Sequence, residues 1–224
     1  AYVFVRDQGG PDAWGEVAKL TASDGAAFDW FGSSVAASGD TVLVGASRDD
    51  HAGGGDSGSA YVFERDQGGP NAWGEVVKLT ASDAEANEYF GVSVAISGDT
   101  AVVGAQQGDT GSAQASGAAY VFERDQGGPR AWGEVLKLGY GLPANQDQFG
   151  TSVALSGDTA VVGARGDENT EGTGAAFVFE RDQGGPGAWG QVVKLKHDGQ
   201  FGWSVAVSGD LAIVGSTSGS VRAS

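Results

Sequence analysis

Two phrases recur along this chain at long, nearly constant intervals. The phrase AYVF-x-RDQGGP-x-AWG begins at Ala1, Ala60 and Ala119 and returns as AFVFERDQGGPGAWG from Ala176, at spacings of 59, 59 and 57 residues. A second phrase, FG-x-S-V-A-x-SGD, begins at Phe31, Phe90, Phe149 and Phe201. Each copy of it runs into an apolar stretch: TVLVGA, TAVVGA, TAVVGA and LAIVGS. Units of this length cannot bury an apolar face alone, so they must stack on one another and share cores.

Each unit contains four strand-like segments. In the second full copy they are Gly91 to Ser97, Thr100 to Ala105, Ala118 to Arg124 and Trp132 to Leu138. Val92, Val94 and Ile96 alternate with small residues, and β-branched and aromatic residues dominate throughout, which favours strands over helices. Ser97-Gly98-Asp99 is a tight-turn signal, because glycine supplies positive φ and aspartate bonds nearby amides. Four strands in meander order describe a propeller blade. The Gly/Ser/Val/Ala segment suits the crowded inner position. The last segment, with Glu75 and Lys78, suits a charged outer edge.

The register predicts an all-β, single-domain β-propeller over residues 1–224, built of four-stranded antiparallel blades. Residues 1–20 supply the third and fourth strands of a blade, and 201–221 supply a first and second strand. Three whole blades lie between, at 31–79, 90–138 and 149–195. Joined, the halves make a fourth blade completed by the N-terminal strands, closing the ring and removing open edges. The same arithmetic permits exchange between molecules, which gives larger rings or filaments.

Composition narrows the partners. Glycine reaches 40 of 224 residues without a three-residue period, which excludes collagen, and 40% hydrophobic residues argue against disorder. A formal net charge of −16 disfavours nucleic acid and anionic lipid. The absence of cysteine excludes disulfides and thiolate chemistry. No apolar run approaches the ~20 residues of a membrane-spanning helix, so membrane insertion is not expected. The chain begins at Ala1 without methionine, as a processed or excised segment would.

These phrases, FG-x-S-V-A-x-SGD, then VVGA, then G-x-AYVFER, resemble FG-GAP repeats, the blades of integrin α-subunit propellers and of many bacterial and archaeal surface proteins. The resemblance implies a propeller located extracellularly or on the cell surface, serving adhesion, carbohydrate binding or scaffolding. Integrin propellers have seven blades, whereas this chain supplies four. The GAP step reads GAS, GAQ, GAR and GST, so its proline is absent. Family blades often hold calcium in the loop after that step, in a D-x-D-x-D-G pattern.

Calcium requires several hard oxygen ligands converging from a short loop. The third loop offers Asp167, Asn169 and Glu171 before Gly172, and the first offers Asp49, Asp50 and Asp56 around three glycines. The second has only Asp109. The plainer alternative is a polar, glycine-rich surface hairpin. Arg165-Gly166-Asp167 spells an RGD tripeptide in one copy of four, a match that coincidence explains.

Trp14, Trp73, Trp132 and Trp189 recur once per unit. They are either a lectin-like stacking platform or packing between blades, and packing is the simpler account of a structural repeat. Trp30 and Trp203 lie off that register, beside the Phe-Gly phrases; they either line the central opening or pack in the core, and core packing is the simpler expectation. No HExxH, GxSxG or Walker-type loop appears. The sequence thus favours a non-catalytic adhesive or structural module, with calcium as the only cofactor considered. Its expected partners are itself, glycans or surface proteins. Filament formation by half-blade exchange and a lectin with one site per blade are the alternatives.

Overall fold

The computed structural model describes residues 1–108, 115–126, 128–140, 144–167 and 173–217. Among these every regular element is a β-strand, and no helix is long and apolar enough to cross a membrane. A two-stranded sheet, β1 (Tyr2–Arg6) and β2 (Trp14–Lys19), comes first. Three four-stranded antiparallel sheets follow in simple meander order. They are β3 (Phe31–Ser38) to β6 (Trp73–Leu79), β7 (Phe90–Ser97) to β10 (Trp132–Leu138), and β11 (Phe149–Ser156) to β14 (Trp189–His197). Their middle strands are β4 (Thr41–Ala46) and β5 (Ser59–Arg65), β8 (Thr100–Ala105) and β9 (Ala118–Arg124), and β12 (Thr159–Ala164) and β13 (Gly174–Arg181). A second two-stranded sheet, β15 (Gln200–Ser208) and β16 (Leu211–Thr217), closes the order.

The repeated phrases set this geometry directly. Each SGD turn is a two-residue hairpin whose glycine is left-handed: Gly39, Gly98, Gly157 and Gly209 have φ between 53° and 58°. That is what a primed turn needs to match strand twist. Each FG-x step is a bulge. Phe90 pairs with Ala105, but the next pair is Ser93 with Gly104, so Gly91 and Val92 leave the ladder. The bulge turns the Gly91 carbonyl toward the preceding blade.

The cores lie between blades rather than within them. One joins Leu43 and Val62 of the first blade to Phe90, Tyr120 and Phe122 of the second. Another joins Val102 and Val121 of the second to Phe149, Phe177 and Phe179 of the third. In each blade the FG phenylalanine meets two rings of the third strand edge-on or tilted. Phe90 lies 5.5 Å from Tyr120 and 5.9 Å from Phe122, and Phe149 lies 5.4 Å from Phe177 and 6.0 Å from Phe179. Each such pair contributes about 0.5–1.5 kcal/mol beyond its buried area.

The expected joining of the two halves into a fourth blade is not what this structure contains. β1–β2 packs on the first whole blade through Leu20, Ala1 and Val3, while β15 packs on the third. The two halves stand at opposite ends of the stack as separate sheets. Each blade docks on the next through the same first-strand contacts, β3 on β7, β7 on β11 and β11 on β15, and the two halves take part in that stacking rather than in pairing with each other.

Candidate functional site

Blades are joined by backbone approaching backbone. The glycine of each VVGA step faces the FG glycine of the following blade: a Cβ on Gly45 would stand 2.0 Å from the Gly91 carbonyl oxygen. On Gly104 it would stand 2.1 Å from that of Gly150, and on Gly163 2.0 Å from that of Gly202. The serine of FG-x-S fixes the same oxygen. Ser34, Ser93 and Ser152 donate through Oγ to Gly91, Gly150 and Gly202 at 2.7, 2.8 and 2.8 Å.

A second junction is ionic. Arg124 reaches back to Glu64 of the preceding blade and to Asp99 of its own hairpin, and Arg130 joins the same Glu64. Arg181 repeats the pattern with Glu123 at 2.5 Å and Asp158 at 2.9 Å. Among the described residues Arg65 forms its ion pair with Asp40 alone, at 3.2 Å, because the position that would supply its glutamate is Val5.

A third junction runs through the linkers. Ser23 donates its amide and hydroxyl to Glu75, each at 2.8 Å, and Ser82 does the same to Glu134. Asp24 accepts from the Tyr61 hydroxyl and from Lys78, and Asp83 from Tyr120 and Lys137. The Lys78 hydrogen bond, aided by the Tyr61 hydroxyl, holds the Asp24 carboxyl below its ordinary range. Burial works against this at Asp83, yet Lys137 and Tyr120 outweigh it and that carboxyl is also lowered.

The calcium expectation can be read against these contacts. Asp49 is buried, and its Oδ2 accepts from Ser59 Oγ at 2.7 Å and meets Lys78 Nζ at 2.7 Å, while its Oδ1 accepts from the Tyr61 hydroxyl at 3.2 Å. Asp167 meets Lys194 Nζ at 2.7 Å. A lysine ammonium therefore stands where a cation would be wanted at both acids. Asp50 spends Oδ1 on the Asp56 amide at 2.8 Å, and His51 bridges Gly53 and Gly58 within the loop. Among the described residues no group of three or more His, Cys, Asp or Glu side chains is placed to hold a metal. Asn169 and Glu171 lie outside the described residues.

The four hairpin tryptophans are not equivalent. Trp132 and Trp189 are only 6% and 7% exposed, Trp73 is half-buried, and Trp14 is 68% exposed. The Arg65 and Arg181 guanidinium groups lie 5.4 and 5.1 Å from the Trp73 and Trp189 rings. Two of the four are thus covered by packing, and an open sugar-stacking platform on every blade is not formed. Trp30 and Trp203 correct the expectation in the opposite sense. Both are about half exposed rather than in the core, with Arg48 4.1 Å from the Trp30 ring and Arg165 4.4 Å from that of Trp203. Phe28 beside Trp30 is largely exposed.

Sequence reasoning read Lys78 as an outer-edge charge and missed Lys194, and it gave neither its aspartate partner. The signal was present, since lysine recurs five residues after each hairpin tryptophan, at Lys19, Lys78, Lys137 and Lys194.

An array of meander blades cemented by FG glycines and VVGA glycines is a β-propeller architecture. The model of the FG-GAP repeat family matches residues 14–63, 73–122 and 132–179, more than half of the chain, and the chain belongs to that family. Repeats of this family form propeller modules that are often extracellular or adhesive and generally non-catalytic. No curated protein matches the chain.

Proposed function

We propose that this chain is a non-catalytic module with a structural and adhesive role, working outside the cell or at its surface. The observation that carries this reading is how the repeated polar side chains are used. Ser34, Ser93 and Ser152, the Arg124 and Arg181 ion pairs, and the Asp24 and Asp83 clusters all bind one blade to the next. The repeated chemistry is spent on joining blade to blade. The net charge of −16 favours solubility and discourages contact with nucleic acid.

The adhesive contact is assigned to the exposed aromatic surface of Phe28 and Trp30, with the Arg48 guanidinium against the Trp30 ring. An amphipathic aromatic with a cation beside it suits glycans or surface proteins. The test has two arms. A membrane-impermeant label on intact producing cells should reach the chain. The labelled chain should then bind those cells or their surface polysaccharide, and Trp30→Ala should weaken binding. Restriction of the chain to the cell interior, or binding indifferent to Trp30→Ala, would sink the assignment.

A further inference from the structure

We propose that the groove between the first and second whole blades, on the side of the SGD turns, binds a neutral sugar. Trp30 precedes the start of β3, whereas this groove lies at the far end of that strand, so the site does not rest on the Phe28–Trp30 surface.

Both walls of the groove belong to whole blades. It holds about 510 Å³, within the range of about 300–1,000 Å³ typical of small-molecule sites. Its two turn tips are tied together, because the Gly98 amide donates to Ser38 Oγ at 3.0 Å. The Arg65 guanidinium lies over the Trp73 ring, which steadies it at the groove.

Three arginines and three aspartates line this space, and each has polar atoms to spare. Arg65 meets Asp40 through Nε, Arg124 meets Glu64 and Asp99 through its two Nη groups, and Arg130 meets Glu64 through Nη2. Among the described residues the Nη groups of Arg65, the buried Nε of Arg124 and Nη1 of Arg130 have no hydrogen-bond partner. Asp40 and Asp99 spend Oδ1 on these ion pairs, and Asp66 spends Oδ1 on the Asn71 amide at 2.6 Å. Oδ2 of each is left unbonded by the described residues.

That mixture selects the ligand. An anion would face three aspartates, and a cation would face three arginines. An apolar molecule would strip water from all six and replace none of its hydrogen bonds. A hydroxyl group both donates and accepts. Neighbouring hydroxyls of a sugar therefore satisfy a guanidinium and a carboxylate side by side, through the stronger, charge-assisted kind of hydrogen bond.

Arg130 sets this groove apart from the next. The same hairpin position is Asp12, Asn71 and Gly187 in the other copies, residue types that tolerate a left-handed backbone. Arg130 holds that conformation at φ 63°. A bulky residue kept there is a mark of function rather than of hairpin stability. Its side chain is 58% exposed and reaches across to Glu64, which Arg124 already pairs. Between the second and third blades Arg181 instead closes onto Thr100 Oγ1 at 2.6 Å as well as Glu123, and Gly187 brings no side chain. Among the described residues Arg124 makes no such bond to Thr41, and the Thr41 hydroxyl is left to the groove.

Titration of the 224-residue chain with the methyl glycosides of glucose, galactose, mannose and N-acetylglucosamine tests the proposal, followed by NMR through the arginine Nε–H signals. Over about 0.1 to 50 mM, the range that a millimolar Kd requires, at least one sugar should shift the Arg65 and Arg124 signals to saturation. Arg130→Gly, a residue the fold already accepts at position 187, should weaken that binding about tenfold or more. Trp30→Ala should leave it unchanged, and glucuronate should not compete. No saturable shift with any of these sugars overturns the proposal, as does binding that persists in Arg130→Gly or that glucuronate displaces. Binding lost in Trp30→Ala and untouched by Arg130→Gly would put the sugar on the aromatic surface: the groove would fail and the adhesive reading would stand.

Discussion

The carbonyl oxygen of Gly91 lies 2.0 Å from where a Cβ on Gly45 would stand, and Ser34 donates to that same oxygen at 2.7 Å. Two blades therefore meet at a point where no side chain of any size fits on one of the strands. Gly104 stands in the same relation to Gly150. Gly104→Ala should cost about 1–3 kcal/mol or more, because the atom it meets is backbone and the blades must part. Urea unfolding should show this as a lower midpoint with little change in slope.

Tyr120 and Phe177 occupy equivalent positions and differ by one hydroxyl. The Tyr120 hydroxyl donates to Asp83, whereas the residue equivalent to Asp83 in the third linker is Leu142. Tyr120→Phe should cost about 0.5–1.5 kcal/mol. A thermal melt of Tyr120→Phe tests this, and an unchanged midpoint would contradict it.

Acid should act on the linkers in a defined direction. The Asp24 carboxyl is lowered in the folded chain by Lys78, so its stabilising effect is full above the unfolded value of about 3.9 and is lost as pH falls below it. The stability gap between the wild type and Asp24→Asn should therefore be constant near neutrality and close below about pH 4.

Asp147 behaves oppositely. Burial raises its carboxyl, and Asp167 nearby adds to the effect. Oδ2 accepts from the Ala144 amide at 2.6 Å and from the Tyr140 hydroxyl at 3.2 Å, while the buried Oδ1 has no hydrogen-bond partner among the described residues. A raised carboxyl favours folding at low pH and loses that advantage as pH rises through its folded value. Asp147→Asn should raise the melting temperature at pH 7, and the gain should shrink toward pH 4.

Chelation should have little effect. Lys78 and Lys194 already neutralise Asp49 and Asp167, so EDTA or millimolar calcium should leave the melting temperature within about a degree, as expected when no ligand binds the native state alone. Lys78→Met, by contrast, leaves Asp49 buried without its cation and should cost about 3–5 kcal/mol.

The strands were legible because their signals are local. Alternation and the SGD turns placed the second blade's strands to within a residue, and the one difference, Phe90 as the first paired residue, arises from the FG bulge. What escaped the sequence depends on neighbours. Trp14 and Trp132 sit in the same phrase, yet only Trp132 has a preceding whole blade to cover it. The acceptor of Ser34 lies 57 positions away in another blade. Whether the two halves meet depends on how the blade-to-blade step accumulates along the stack, which no single phrase specifies.

The offset between sequence repeat and blade has one more consequence. Each matched segment, such as 73–122, begins in the outer strand of one blade and ends in the third strand of the next. Inserting or deleting such a segment would carry a whole blade-to-blade junction with it. The number of blades and the chemistry that joins them are thus separate variables. A lineage of such arrays could lengthen or shorten by duplication without redesigning any junction.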